Sequence, residues 1–139
     1  MEGTKSDPRS KTILVVDDDV SILDLFELAL VRDGFNAMRL PSGEKVVQIV
    51  TKKSSIVDLI ILDLMLPGKD GIAILKELQK AGANVPIFIV TAKALPPADI
   101  EKLRKEPNVK DFFQKPVNVR QLSNRVHETL GTSPKKAAV

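Results

Sequence analysis

Asp63 closes an unbroken aliphatic run, Leu59 to Leu62, and stands four residues before the turn-forming pair Pro67-Gly68. Other apolar runs end on polar groups in the same way. Ile13 to Val16 stops at Asp17 and Asp18, Pro86 to Val90 stops at Thr91, and a shorter segment from Asp111 stops at Lys115. If these runs are parallel strands, three carboxylates, a hydroxyl and an ammonium meet on one rim. Two carboxylates about 4 Å apart at an effective dielectric near 20 repel by roughly 4 kcal/mol, so three cannot remain ionised together without cations. Lys115 brings one positive charge. A hard divalent ion such as Mg²⁺ or Mn²⁺, which takes oxygen ligands and keeps several waters, would bring the rest, and such a centre suits phosphate chemistry.

The segments between these runs carry the positioning elements. A helix is predicted from about Ser21, with Ile22, Leu25, Phe26 and Ala29 inward, Ser21 and Asp24 as a capping box, and Gly34 as its stop. Asn36 to Leu40 alternates as an edge strand would. Ser42 is placed to cap a second helix running to about Lys53, with Val46, Val47 and Val50 inward and Glu44 near its positive end. Asp70 caps a third, whose Ile72, Leu75 and Leu78 face the core. Pro97 opens a short fourth helix that Pro107 closes. Asn118 with Gln121 starts the fifth, with Val119, Leu122, Val126 and Leu130 on one face before Gly131. Five strands alternating with five helices make an α/β fold with an open parallel sheet covered on both faces. Its ligand site is expected beyond the strands' carboxyl ends, at the switch point of strand order.

The 139 residues suit one domain able to bury roughly two thirds of its unfolded surface. Residues 1–11 are expected to be a flexible lead-in, 12–131 the folded domain, and 132–139 a flexible tail. The net charge of +3 lies in those tails: +1 in residues 1–11, +2 in residues 131–139, and none in 12–130, where 16 basic residues balance 16 acidic ones. That distribution lacks the basic face of a nucleic-acid reader, so direct DNA binding is not expected. Without cysteine there is no disulfide framework or thiolate chemistry. Apolar runs are too short for a bilayer, which predicts no membrane insertion and a cytoplasmic location.

The motifs VVDDD at 15–19, ILDLMLPGKDG at 61–71, VTA at 90–92 and FFQKP at 112–116, in this order and spacing, resemble the receiver domain of two-component response regulators, chemotaxis-regulator-like in its single-domain form. The resemblance spans about Thr12 to Leu130. It implies a flavodoxin-like (βα)5 fold with strand order 2-1-3-4-5. It further implies that Asp63 is the phosphoacceptor for a sensor histidine kinase, a phosphotransfer protein or a small phosphodonor. Asp18, Asp63 and the carbonyl of Met65 would bind the metal, with Asp17 acting mainly through a coordinated water. Lys115 would pair with Asp63 and then with the phosphoryl group, Thr91 would bind another phosphoryl oxygen, and Phe112 would be the aromatic whose rotamer follows Thr91. Lys115-Pro116 would be cis. Met65 and Lys93, two positions after Asp63 and Thr91, would tune the lifetime of the phosphorylated form. The expected role is a stand-alone switch that catalyses only its own phosphotransfer and autodephosphorylation. It would signal to a partner protein through the fourth helix, fifth strand and fifth helix.

Two rivals use the same residues. An Asp-nucleophile, Mg-dependent phosphohydrolase of the haloacid dehalogenase type would want an Asp two residues after its nucleophile and then a Thr; Asp17 and Asp19 fit, whereas Val20 and Ser21 do not. A degenerate receiver acting only as a binding module would lack part of the acidic set, which is complete here. Among the plainer readings, Asp19 favours a helix amino end, and the single histidine, His127, is expected at the surface. The Gly-Ala pair common before the family's last strand is replaced by Asn108-Val109, and Val117 follows Lys-Pro where Phe is common.

Overall fold

The computed structural model describes residues 6–134. Within them the order is a 3-10 turn (Pro8–Ser10), β1 (Thr12–Val16), α1 (Val20–Arg32), β2 (Asn36–Leu40), α2 (Val46–Thr51), β3 (Val57–Asp63), α3 (Gly71–Lys80), β4 (Ile87–Thr91), α4 (Pro97–Arg104), β5 (Val109–Gln114) and α5 (Val119–Leu130). The strands form one parallel sheet in the order β2-β1-β3-β4-β5. This is the expected flavodoxin-like arrangement. Among the described residues no helix is long and apolar enough to cross a membrane.

Alternation along the buried strands divides the core in two. Leu14, Val16, Ile60, Leu62, Ile87 and Ile89 face α2, α3 and α4, whereas Ile13, Val15, Leu59, Ile61, Phe88 and Val90 face α1 and α5. Phe112 joins the first cluster, while Phe113 packs on the second and lies 5.6 Å from the Phe88 ring. A strand buried on both sides reads as a continuous apolar run, which is why β1, β3 and β4 were visible in the sequence.

Several local expectations are corrected. Asp19, not Ser21, caps α1: its carboxylate accepts from the Ser21 N–H at 2.9 Å. Leu23, Phe26 and Leu30 are the buried residues of α1, and Leu25 is exposed. The helix is apolar on nearly every side, so periodicity alone could not select the inner face. In α3, Ile74 rather than Ile72 is buried beside Leu75 and Leu78. The second helix starts at Val46 and ends at Thr51, with no side-chain cap. Ser42 is not its cap: the N-cap position falls on Lys45, and the chain between them runs close to α3, where a Cβ on Gly43 would meet the Ile74 side chain and lie 3.0 Å from the Lys69 carbonyl. The caps from Asp70 to the Ala73 N–H and from Asn118 to the Gln121 N–H are present.

The tails and His127 depart furthest from expectation. The Ser6 N–H donates to the Gly131 carbonyl at 2.9 Å, and Ser6 pairs with Thr132 in a short parallel bridge. Pro8 and Thr132 are buried. Residues 6–11 and Thr132 are thus packed on the domain; residues 1–5 and 135–139 of the expected flexible segments lie outside the described residues. His127 is only 4% exposed. Its Nδ1 is 2.6 Å from Thr132 Oγ1, its Nε2 is 3.0 Å from Asp33 Oδ2, and its ring lies 4.6 Å from that of Phe35. His127 sits on the α5 face beside Val126 that packs towards α1, and Thr132 and the distant Asp33 supply its polar partners, so the ring is buried rather than at the surface.

Candidate functional site

Strand register sets the rim. Val16 pairs with Leu62, so the next residues on the two strands, Asp17 and Asp63, stand side by side where the order reverses between β1 and β3. Asp63 pairs with Val90 of β4, and Thr91 pairs with Gln114 of β5. The Lys115 N–H donates to the Thr91 carbonyl at 2.8 Å, which keeps the ladder going past β5 and sends the lysine back over the rim. Its peptide bond to Pro116 is cis, as expected.

Lys115 Nζ lies 2.7 Å from Asp17 Oδ2 and 3.2 Å from Asp63 Oδ2. The ammonium is therefore shared, and its closer partner is Asp17 rather than the expected Asp63. Each acid has its other oxygen held by the backbone: the Met65 N–H donates to Asp63 Oδ1 at 2.9 Å, and the Asp19 N–H donates to Asp17 Oδ1 at 2.9 Å. These backbone donors were not anticipated, although each is an Asx-type bond to the residue two positions on. Asp17 and Asp63 are buried, whereas Asp18 is exposed.

Burial pushes the Asp63 carboxyl above its ordinary value of 3.8; the Met65 N–H opposes this, Asp17 adds to it, and Lys115 opposes it again. Burial also works against the Lys115 ammonium, but Asp17 and then Asp63 outweigh it, so that Lys115 rises above 10.5. One ammonium does not balance the acids. Asp17, Asp18 and Asp63 each offer a carboxylate oxygen, and these atoms lie within 4.8 Å of one another. An all-oxygen donor set with excess negative charge and one solvent-facing member fits a hard divalent cation.

The other expected residues gather around this group. Thr91 is fully buried, and its Oγ1 accepts from the Lys93 N–H at 3.1 Å. Phe112 lies beneath the same rim, buried at 8% exposure. Met65 is exposed beside Asp63. Next to the rim, Leu64, Met65, Thr91, Lys93, Leu95 and Leu103 line part of an open cleft of about 420 Å³ between the β3–α3 loop and α4.

The response regulator receiver domain family matches residues 13–127. The chain belongs to this family. Curated relatives include the alkaline phosphatase synthesis transcriptional regulatory protein PhoP of Bacillus subtilis (strain 168), 35% identical over 125 residues, covering 89% of this chain and 50% of the relative. The chain spans about half the length of the curated relatives it matches. Among solved structures, the Francisella response regulator 1452 receiver domain has a TM-score of 0.74 at 28% identity, covering 85% of this chain and 94% of that one. The receiver domain of the sensor histidine kinase PA1611 from Pseudomonas aeruginosa PAO1, described with a magnesium ion coordinated in its active-site cleft, has a TM-score of 0.74 at 24% identity, with coverages of 88% and 99%. Membership makes this chain a receiver domain of two-component signalling, a phosphorylation-dependent signalling module, with an acidic pocket suited to a divalent metal.

Proposed function

We infer that Asp63 is the residue phosphorylated, and that Asp18, Asp63 and the Met65 carbonyl hold Mg²⁺ with Asp17 acting through water. In the reaction one Asp63 carboxylate oxygen attacks phosphorus in line. A P–O bond to Asp63 forms as the donor's P–N or P–O bond breaks, and the leaving imidazole or carboxylate takes the bonding electron pair. A bound divalent ion would supply positive charge for the phosphoryl oxygens. The residues do the rest. Lys115, already between Asp17 and Asp63, turns its ammonium to a phosphoryl oxygen. Thr91 keeps its hydroxyl hydrogen for another, because its oxygen accepts from Lys93. Phe112 is the aromatic switch whose packing follows Thr91. Met65 and Lys93 flank the path of hydrolytic water and tune autodephosphorylation.

One observation carries this reading: three carboxylate oxygens lie within 4.8 Å of one another, with the Lys115 ammonium 3.2 Å from the buried Asp63. The donor is a sensor histidine kinase, a phosphotransfer protein or a small phosphodonor, in the cytoplasm. Output passes to a partner protein through α4, β5 and α5. Arg125 already links two of these elements by pairing with Asp111 at 2.6 Å, and Arg104 reaches the same aspartate at 3.4 Å.

Acetyl phosphate with Mg²⁺, followed by intact-mass measurement, tests the assignment. The parent protein should gain one phosphoryl group and Asp63→Asn none. An unmodified parent, or an equal adduct on the variant, sinks it, whereas repeated turnover of phosphoesters would favour the hydrolase chemistry.

A further inference from the structure

Gly71 opens α3, and its own geometry marks it out from the glycines used for turns. The described glycines with positive φ are Gly34, Gly68, Gly82 and Gly131. Gly71 has no need of that freedom, and alanine is a better helix former than glycine by about 1 kcal/mol in a helix interior. What excludes a side chain is space. A Cβ at position 71 would lie 2.6 Å from the Asp63 carbonyl oxygen, 2.8 Å from Leu64 Cα and 3.1 Å from Leu64 Cδ2. The two shortest distances are to backbone, which cannot rotate away.

The same short stretch aims Asp63. The Gly71 N–H donates to the Leu64 carbonyl at 3.1 Å, closing the loop over residues 64–70, and the Leu64 N–H donates to the Val90 carbonyl at 3.0 Å. Between these two anchors the Met65 N–H meets Asp63 Oδ1. We propose that Gly71 is a positioning residue: by letting the first turn of α3 rest directly on the Asp63 carbonyl, it holds the β3–α3 loop where Met65 orients the Asp63 carboxylate towards metal and phosphoryl donor. This rests on the phosphoacceptor reading above. Restoring ordinary contact to the nearest atom requires a shift of roughly 0.8 Å, from 2.6 Å to 3.4 Å. Reacting groups need to be held within about 0.5 Å, so a displacement of this size is felt in the chemistry.

Gly71→Ala is compared with Gly82→Ala, which strains the left-handed backbone (φ 77°) just past the other end of α3 and has nothing within 4 Å of the added Cβ. Three quantities are measured on each folded protein: Mg²⁺ affinity by titration calorimetry, the labelling rate with acetyl phosphate at saturating Mg²⁺, and the melting temperature. Gly71→Ala should lose about tenfold or more in affinity and rate. Gly82→Ala should melt lower with both constants unchanged. Parent-like constants in Gly71→Ala, or equal losses in both variants, overturn the proposal. If Gly71→Ala does not fold in plain buffer, the measurements are repeated in sucrose, which strengthens effective burial, with the same expectation of a folded protein with weakened Mg²⁺ binding. An unlabelled parent would overturn the phosphoacceptor reading instead, and the Mg²⁺ titration would still decide the role of Gly71.

Discussion

Asp63 lies 3% exposed beside a second buried carboxylate, with a single ammonium between the two. Its ionised form is therefore disfavoured in the metal-free fold, and the sign of the consequence follows from linkage. A carboxyl whose pKa is raised on folding contributes stability that is fully present below its unfolded value, near 3.8, and lost as pH rises through the folded value. In EDTA, Asp63→Asn should thus gain stability relative to the parent as pH is raised from about 4 to neutrality, while keeping an oxygen for the Met65 N–H. Denaturant melts across that range measure the difference; a constant difference, or one that grows on acidification, would contradict the charge account. Asp17, Asp18, Asp63 and Lys115 were legible as residues because each interrupts apolar sequence at a strand end. The order of preference of Lys115, Asp17 before Asp63, was not, since it depends on tenths of an ångström set by register.

Element by element, the helices differ in how firmly they are held. Residues of α1, α2, α3 and α5 are buried in the two core clusters, whereas α4 buries none fully and is capped by Pro96 without a side-chain hydrogen bond. Ile100 and Leu103 are its partly buried anchors. Few apolar contacts and exposed backbone hydrogen bonds define a segment that opens locally at low cost. The amides of α4 should exchange with deuterium faster than those of α3 and α5, and exchange measured by mass spectrometry with peptide resolution checks this; α4 protection equal to that of α3 would argue against its low local stability. The paired prolines and Pro107 made this helix's short length readable. Asn108, by contrast, reads in the sequence only as a departure from the family pattern, yet its buried amide donates to the Ala83 and Val85 carbonyls at 2.7 Å and 3.2 Å. It ties the α4–β5 connection to the α3–β4 connection, a link between segments 23 to 25 residues apart that no local pattern could announce.

Across the described residues as a whole, the acidic rim lies at the carboxyl ends of the strands, and Ser6 and Thr132 pair beside His127. Thr132 Oγ1 and Asp33 Oδ2 hold the two ring nitrogens, and the Ser6 pairing covers the same region. Thr132→Val keeps the shape and removes the hydroxyl, leaving a buried nitrogen unpaired. It should cost about 1–3 kcal/mol in a denaturant melt without changing Mg²⁺ affinity; an unchanged melt would show that His127 needs no partner there. The sequence by itself determined which segments are strands and helices and which acids, hydroxyl and amine end the strands, because hydrophobic period and turn chemistry act over a few neighbours. Together with its motifs it also determined the family. Only the tertiary structure decided which face of the all-round apolar α1 turns inward, that His127 and Thr132 are buried, and that a missing Cβ at Gly71 brings α3 onto Asp63. Each of these depends on atoms from segments far apart in the chain, and burial is a property of neighbours that only the fold brings together.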